Sequence, residues 1–339
     1  MNRKTLNYKR DIIDEYNIKS VLLLRQDRLG DLIISETFIR LLREKHPEIQ
    51  LDIILGKRNR SANFIVSDYI DSYFVYNQKI ISDISLIMKL RSRKYDLIID
   101  LQDKPSRTSK LLIDLIAPKY SAGFNFEELS NRYYFLVDRW DRAKYHITER
   151  ASKLLELFAY DVNNINFDYQ IKLKRTFDLP IIDKIHADGK KVFIINLSGN
   201  SKERYWGEEN YIKFIKLIRQ KSNDYQFLLT YTKEYSQDAE NISKATGAIN
   251  NGLIDSFEKY IYTLSKADII LTPDTSAVHI ASAFKIKQIA LYNFNLNSKD
   301  NDEMPWLPYN SPAKVFGSES CIMSDISPVE VVDNIKNFI

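Results

Sequence analysis

Short apolar runs alternate along this chain with stretches whose apolar residues recur every three or four positions, and the alternation occurs twice. In the first half, residues 20–24, 51–55, 72–76 and 96–101 are short and rich in Val, Ile, Leu and aromatic side chains, which predicts buried strands. Residues 33–44 carry apolar side chains at helical spacing. A polar stretch, residues 161–190, follows with Asn and Asp clusters and Pro180. The pattern then restarts with strands expected at 191–197, 225–230, 267–272 and 286–292 and helices at 208–220, 236–246, 257–265 and 275–284. Strands alternating with helices imply parallel sheets covered on both faces. The expected architecture is therefore α/β, with two Rossmann-like domains (residues 1–170 and 171–339) facing each other across a cleft. Ligands of such sheets bind beyond the carboxyl ends of the strands. Candidate chemistry is accordingly sought in the loops after residues 24, 101, 197, 230 and 272.

Composition narrows the classes. Lys and Arg number 49 against 45 Asp and Glu, for a net charge of +4, so the surface is mixed in sign. That excess is too small for a dedicated nucleic-acid protein, whose basic residues concentrate on one face. It does allow weak attraction to an anionic substrate or membrane. Cys321 is the one cysteine, so no intrachain disulfide forms, and the four histidines (His46, His146, His186 and His279) are too scattered for a metal site. The polar N-terminus does not read as a signal peptide, and no apolar run reaches the roughly 18–20 residues that span a bilayer. The expected location is cytoplasmic.

The first loop reads Arg25-Gln26-Asp27-Arg28-Leu29-Gly30-Asp31, four charges in seven residues directly after a buried strand. Gly30 lets backbone turn tightly or approach a ligand. Asp31, at a helix start, suits capping of free N–H groups, and equally suits a general base for a hydroxyl. Arg25 and Arg28 suit binding of an anionic acceptor or donor phosphates. In the second half, Ser198-Gly199-Asn200-Ser201 after a strand offers N–H groups to phosphate, with Lys202 and Arg204 adding positive charge. Trp206 there reads first as a packing anchor. Residues 267–293 end a strand at Pro273-Asp274-Thr275-Ser276 and begin a small-residue helix at once, a construction suited to a diphosphate. Asp274 is either a cap or an acceptor of sugar hydroxyls. His279 lies in the first turns of that helix, placed either for packing or towards a ligand.

At these residues the chain resembles the ADP-heptose:lipopolysaccharide heptosyltransferases. The family's Arg-x-Asp-x-x-Gly-Asp appears as Arg25 to Asp31, and its Asp-x-x-Ile-Asp-Leu-Gln as Asp96 to Gln102. His146-Ile147-Thr148-Glu149-Arg150 matches His-x-x-Glu-Arg, Arg204-Tyr205-Trp206 stands for Lys-x-Trp, and Asp274 to His279 for Asp-Thr-Gly-x-x-His. The resemblance runs from about Ser20 to Tyr292 and implies a GT-B fold and inverting, metal-independent transfer of heptose from ADP-heptose to a lipid-linked core saccharide. It implies Asp31 as general base; Arg204 at the donor phosphates; Asp274 at the donor sugar; Thr275 and Ser276 at the diphosphate; His279 on the donor side; Ser198 and Gly199 in the phosphate loop; and Glu234 at the ribose. The basic N-terminus and residues 133–140 are candidates for peripheral contact with the inner membrane, although ordinary surface and packing roles fit them better. Three positions depart from the pattern: Arg204 for Lys, Ser276 for Gly, and Glu127-Glu128 where relatives are often basic. Alternatives of the same fold are a transferase for another nucleotide sugar, a nucleotide-sugar epimerase, and a non-catalytic nucleotide-binding protein.

Overall fold

A computed structural model describes residues 10–126, 133–199, 201–296 and 306–339. Glu127, Glu128 and the basic N-terminal residues lie outside the described residues. Contacts divide the chain into two compact units, one ending at Gln170 and the next beginning at Ile171.

The first unit contains β1 (Ser20–Arg25), β2 (Gln50–Gly56), β3 (Ser72–Tyr76), β4 (Leu97–Asp100), β5 (Tyr120–Phe124) and β6 (Phe135–Val137). Its helices are α1 (Ile12–Glu15), α2 (Leu29–Lys45), α3 (Ile80–Ser92), α4 (Arg107–Ile116) and α5 (Ile147–Ser152). The strands are all parallel, in the order β3-β2-β1-β4-β5-β6. The second unit contains β7 (Lys191–Asn196), β8 (Tyr225–Thr230), β9 (Ile249–Asn250), β10 (Ile269–Pro273), β11 (Lys287–Tyr292) and β12 (Ala313–Gly317). With them run α6 (Pro180–Ala187), α7 (Glu208–Lys221), α8 (Ser236–Thr246), α9 (Phe257–Leu264), α10 (Ser276–Ala283) and α11 (Pro328–Asn334). This sheet is also all parallel, in the order β12-β11-β10-β7-β8-β9.

Read outward from its first strand, each sheet has the doubly wound order of a dinucleotide-binding fold. The strand order reverses between β1 and β4 in one unit and between β7 and β10 in the other. At such a reversal the connections leave in opposite directions and open a crevice, so each unit has one place prepared for a ligand.

Burial follows the strand alternation. Leu22, Leu24, Ile54 and Ile98 turn to the face covered by Leu90 of α3 and Leu112, Ile113 and Ile116 of α4. In the second sheet Phe193, Ile195, Phe227, Leu229 and Leu271 pack on Tyr211, Phe214, Ile215 and Ile218 of α7. Tyr133, Phe135, Leu136 and Val137 are buried, with β6 paired to β5, so this part of the 133–140 stretch belongs to the core and not to a membrane-facing surface. Pro180 opens a helix within the polar 161–190 stretch, and α6 buries Ile182 and Ile185. Two apolar residues at helical spacing are too few to show through so many charges. No described helix is long and apolar enough to cross a membrane.

Candidate functional site

At the first reversal, β1 delivers Arg25 straight into the turn that starts α2. Although charged, Arg25 is only 2% exposed. Its Nη1 donates to the Leu101 carbonyl at 2.9 Å and its Nε to the Asp31 carbonyl at 3.1 Å, tying the end of β4 to the first turn of α2. Its guanidinium also lies 3.5 Å from an Asp27 carboxylate oxygen and 3.6 Å from one of Asp31. Arg25, expected at an acceptor, faces inward onto these partners, and Arg28 is the exposed cation of the loop. A fixed fork with five N–H groups can serve two carbonyls and two carboxylates at once, which a lysine cannot.

Asp31 caps its own helix, its Oδ2 accepting from the Arg28 N–H at 2.9 Å. The other oxygen keeps the looser Arg25 contact, so capping occupies only half of the carboxylate. Gly30 precedes it in the first turn, half-buried. The loop is also braced from outside: Asn59 Nδ2 donates to the Arg25 carbonyl and its Oδ1 accepts from Gly56 N–H, both at 2.8 Å. A Cβ on Gly56 would stand 2.1 Å from the Gln26 carbonyl oxygen, so the end of β2 tolerates no side chain there.

Asp27, which the sequence reading did not single out, accepts from Gln102 Nε2 at 3.2 Å. Burial pushes its carboxyl up to about 6, neighbouring Asp31 and Asp100 push the same way, and Arg25 and Arg28 pull it back. Asp100 is raised as well, by full burial, against a 2.7 Å hydrogen bond from the Tyr133 hydroxyl. A folded-state value of about 6 lies above the roughly 3.9 of an unfolded aspartate. Ionising Asp27 therefore costs stability above about pH 6, and the cost is relieved as pH falls from there towards 4. Asp27→Asn is expected to melt above the parent protein at pH 7–8, with the gap closing between about pH 6 and 4. Melting curves across that range decide it, and a pH-independent gap would refute the raised carboxyl.

The His146–Arg150 motif is structural. Glu149 Oε2 accepts from the His146 N–H at 2.7 Å, closing a capping box, and buried Arg150 lies 3.2 Å from Asp103 just beyond β4.

At the second reversal the hub is Asn196, the last residue of β7. Its Nδ2 lies 3.0 Å from Thr272 Oγ1 and 3.3 Å from Thr275 Oγ1, tying β7 to the loop that starts α10. Thr275 caps that helix by accepting from Ala277 N–H. Arg204 Nη1 reaches Asp274 twice, at 2.9 Å to the carboxylate and 3.1 Å to the carbonyl. Both side chains stay partly open, at 28% and 16% exposure. Ser198 Oγ accepts from Thr232 N–H at 2.7 Å, and exposed Glu234 hydrogen-bonds Thr232 Oγ1, so the loop after β8 leans on the loop after β7. Gly199 has no room for a Cβ, which would meet the Arg204 carbonyl at 2.5 Å.

Ser198, Gly199, Arg204, Asp274, Thr275 and Ser276 thus gather at the ends of β7 and β10, with Glu234 beside them on the β8 loop. His279 does not join them at the surface: it is 2% exposed and sits against the Trp306 ring, 5.9 Å between centroids. Trp206 is fully buried, donating to the Ile326 carbonyl at 2.8 Å, which settles its role as an anchor. The arrangement offers a helix N-terminus, two hydroxyls and a guanidinium to an anion, beside an acceptor-only carboxylate.

Residues 84–330 match glycosyltransferase family 9 (heptosyltransferase). The chain belongs to that family. It is a glycosyltransferase of the heptosyltransferase family, and its fold is GT-B. An Escherichia coli K12 protein carrying the provisional name lipopolysaccharide heptosyltransferase 4 is 24% identical, the alignment covering 96% of this chain and 88% of that one. The lipopolysaccharide core heptosyltransferase OpsX of Haemophilus influenzae is 20% identical over 86% of this chain and 82% of its own. Among solved structures, Escherichia coli heptosyltransferase WaaC with ADP-2-deoxy-2-fluoro heptose shares the fold at a TM-score of 0.72 and 16% identity, covering 94% of this chain and 100% of that one.

Proposed function

We propose that this family 9 transferase moves heptose from ADP-heptose to a lipopolysaccharide core saccharide with inversion, the first unit taking the acceptor and the second the donor. What carries the reading is Asp31: a carboxylate at the strand reversal, held on one oxygen by its helix, with only a loose 3.6 Å contact to Arg25 competing for a proton on the other. The acceptor hydroxyl loses its proton to Asp31 as its oxygen attacks the anomeric carbon. The bond from that carbon to the diphosphate oxygen breaks, and its electron pair leaves with ADP. Arg28, exposed beside Gly30, meets the anionic acceptor, while Arg25 stays inside and holds Asp31 in place.

In the second unit the α10 N-terminus, Thr275, Ser276, Ser198 and the Gly199 turn bind the diphosphate. Asp274 holds sugar hydroxyls, Glu234 the ribose, and His279 supports α10 from beneath. Arg204 neutralises charge growing on the leaving ADP, a task otherwise suited to a metal ion. Metal-independent transfer is supported by this guanidinium, which offers the leaving diphosphate a fixed positive charge. The two curated relatives, named for lipopolysaccharide heptosyl transfer, support the choice of donor and acceptor.

Purified protein given ADP-, UDP- and GDP-sugars with a core saccharide is expected to release ADP from ADP-heptose alone. Conversion of a donor to its isomer without acceptor would replace the reading with an epimerase. Arg204→Ala removes a charge-assisted contact to phosphate and should lower kcat/KM by about 10- to 100-fold. Arg204→Lys should recover part of that loss, and unchanged kinetics in Arg204→Ala would overturn the assignment.

A further inference from the structure

The helices α3 and α4 carry apolar residues on both faces. Their inner faces cover the first sheet through Leu90, Leu112, Ile113 and Ile116. Their outer faces leave Ile84 at 53%, Met88 at 66%, Leu111 at 49% and Leu115 at 38% exposure. These are four of the nine large hydrophobic side chains exposed among the described residues. Scattered singly such residues mean little, but gathered on one face they mark an interaction site.

The four form one patch. Ile84 and Met88 are one turn apart on α3, as are Leu111 and Leu115 on α4, so each pair shares a helix face. Arg91 Nη1 donates to the Leu115 carbonyl at 2.9 Å, which sets the end of α3 level with the end of α4. The two helices pack side by side, so the pairs Ile84–Met88 and Leu111–Leu115 lie on neighbouring helices. Around them Lys89 and Arg91 on α3 and Arg107 and Lys110 on α4 are exposed cations, with Asp114 the single exposed acid of the two helices. The other acid, Asp83, is buried and spent on the Lys79 and Asn77 N–H groups.

We propose that the outer face of α3 and α4 docks the protein on an anionic lipid surface, with Ile84, Met88, Leu111 and Leu115 entering the headgroup boundary and Arg91, Arg107 and Lys110 meeting lipid phosphates. Apolar side chains ringed by cations match such a surface on both counts: each basic residue near it contributes about 1 kcal/mol, and the apolar side chains add their burial. A second copy of the chain is the poorer occupant, because a two-fold contact through this face would set four cations against four. Docking needs neither ADP-heptose nor Asp31, so it stands or falls apart from the transfer reaction.

The test is flotation of the full chain with phosphatidylethanolamine vesicles, with and without phosphatidylglycerol, without donor or acceptor. Binding is expected only with the anionic lipid and should weaken as salt rises. Arg107→Glu with Lys110→Glu should lower the partition coefficient by roughly 25-fold or more, and Met88→Ser with Leu111→Ser by roughly 10-fold. All four positions are exposed and outside the transfer machinery, so melting temperature and turnover of a soluble acceptor should not change. Equal binding to neutral and anionic vesicles, or undiminished binding by both double variants, would overturn the proposal. So would a concentration-dependent dimer that Met88→Ser with Leu111→Ser abolishes.

Discussion

Asp31→Asn is expected to lower kcat by about 10²- to 10⁴-fold, the contribution of a positioned general base, while ADP-heptose still binds. The variant isolates chemistry from folding. An asparagine oxygen can still accept from the Arg28 N–H, the 2.9 Å bond that caps α2. Even outright loss of a cap costs only about 1 kcal/mol, too little to unfold the protein and mimic a dead enzyme. Rates of ADP release and calorimetric donor binding, measured on the same preparation, separate the two effects. Turnover within a few-fold of the parent would remove Asp31 from the reaction.

The largest effect on stability should come from Arg25→Met. The substitution keeps the apolar stem and deletes a guanidinium that serves the carbonyls of Leu101 and Asp31 and lies near two carboxylates. Removing one member of a buried charge cluster leaves the others uncompensated, and a loss of about 3–5 kcal/mol is expected from urea denaturation. Three carboxylates (Asp27, Asp31 and Asp100) would then share one small region without their central cation. Arg28→Met, exposed on the same loop, should stay within about 0.5 kcal/mol of the parent and instead raise KM for an anionic acceptor. If Arg25→Met unfolded at the parent's urea concentration, the inward guanidinium would be a minor contact and the scaffold role assigned to it would fail.

Strands buried on both faces announce themselves as unbroken apolar runs, and β1, β2, β4, β7, β8, β10 and β11 were legible for that reason. Of the outer strands, β3 was read at residues 72–76, but β5, β6, β9 and β12 were not. In β5, Tyr120-Ser121-Ala122-Gly123-Phe124 mixes small and polar residues, β9 is two residues long, and β12 at the sheet edge holds one buried side chain. Helix α3 escaped notice because the exposed Ile84 and Met88 blur the 3.6-residue period that betrays a half-buried helix. The segments after β1, β7 and β10 were read correctly as loops after strands, since glycine, hydroxyl and charge clusters there have little to do in a core. What a linear reading cannot supply is which way a charge points. Arg25 and Arg28 are three residues apart and alike in type, yet one is 2% exposed and its neighbour faces solvent. Gly56 and Asn59, which brace the Arg25–Asp31 turn, and Gln102, which reaches Asp27 from beyond β4, become part of the site only through tertiary contact.

The fork that Arg25 throws from the β1 turn to the Leu101 carbonyl has a practical bearing on chimeric enzymes. Exchanging residues 26–31 alone between two family members would set a foreign turn against the retained Arg25 guanidinium, which holds the Asp31 carbonyl, and against Gly56, which leaves the carbonyl of residue 26 no slack. The transplantable cassette is discontinuous: the turn after β1, the end of β2 with Asn59, and the segment from Asp100 to Asp103. Grafts that carry all three should keep the parent's melting temperature, whereas grafts of the first alone should lower it.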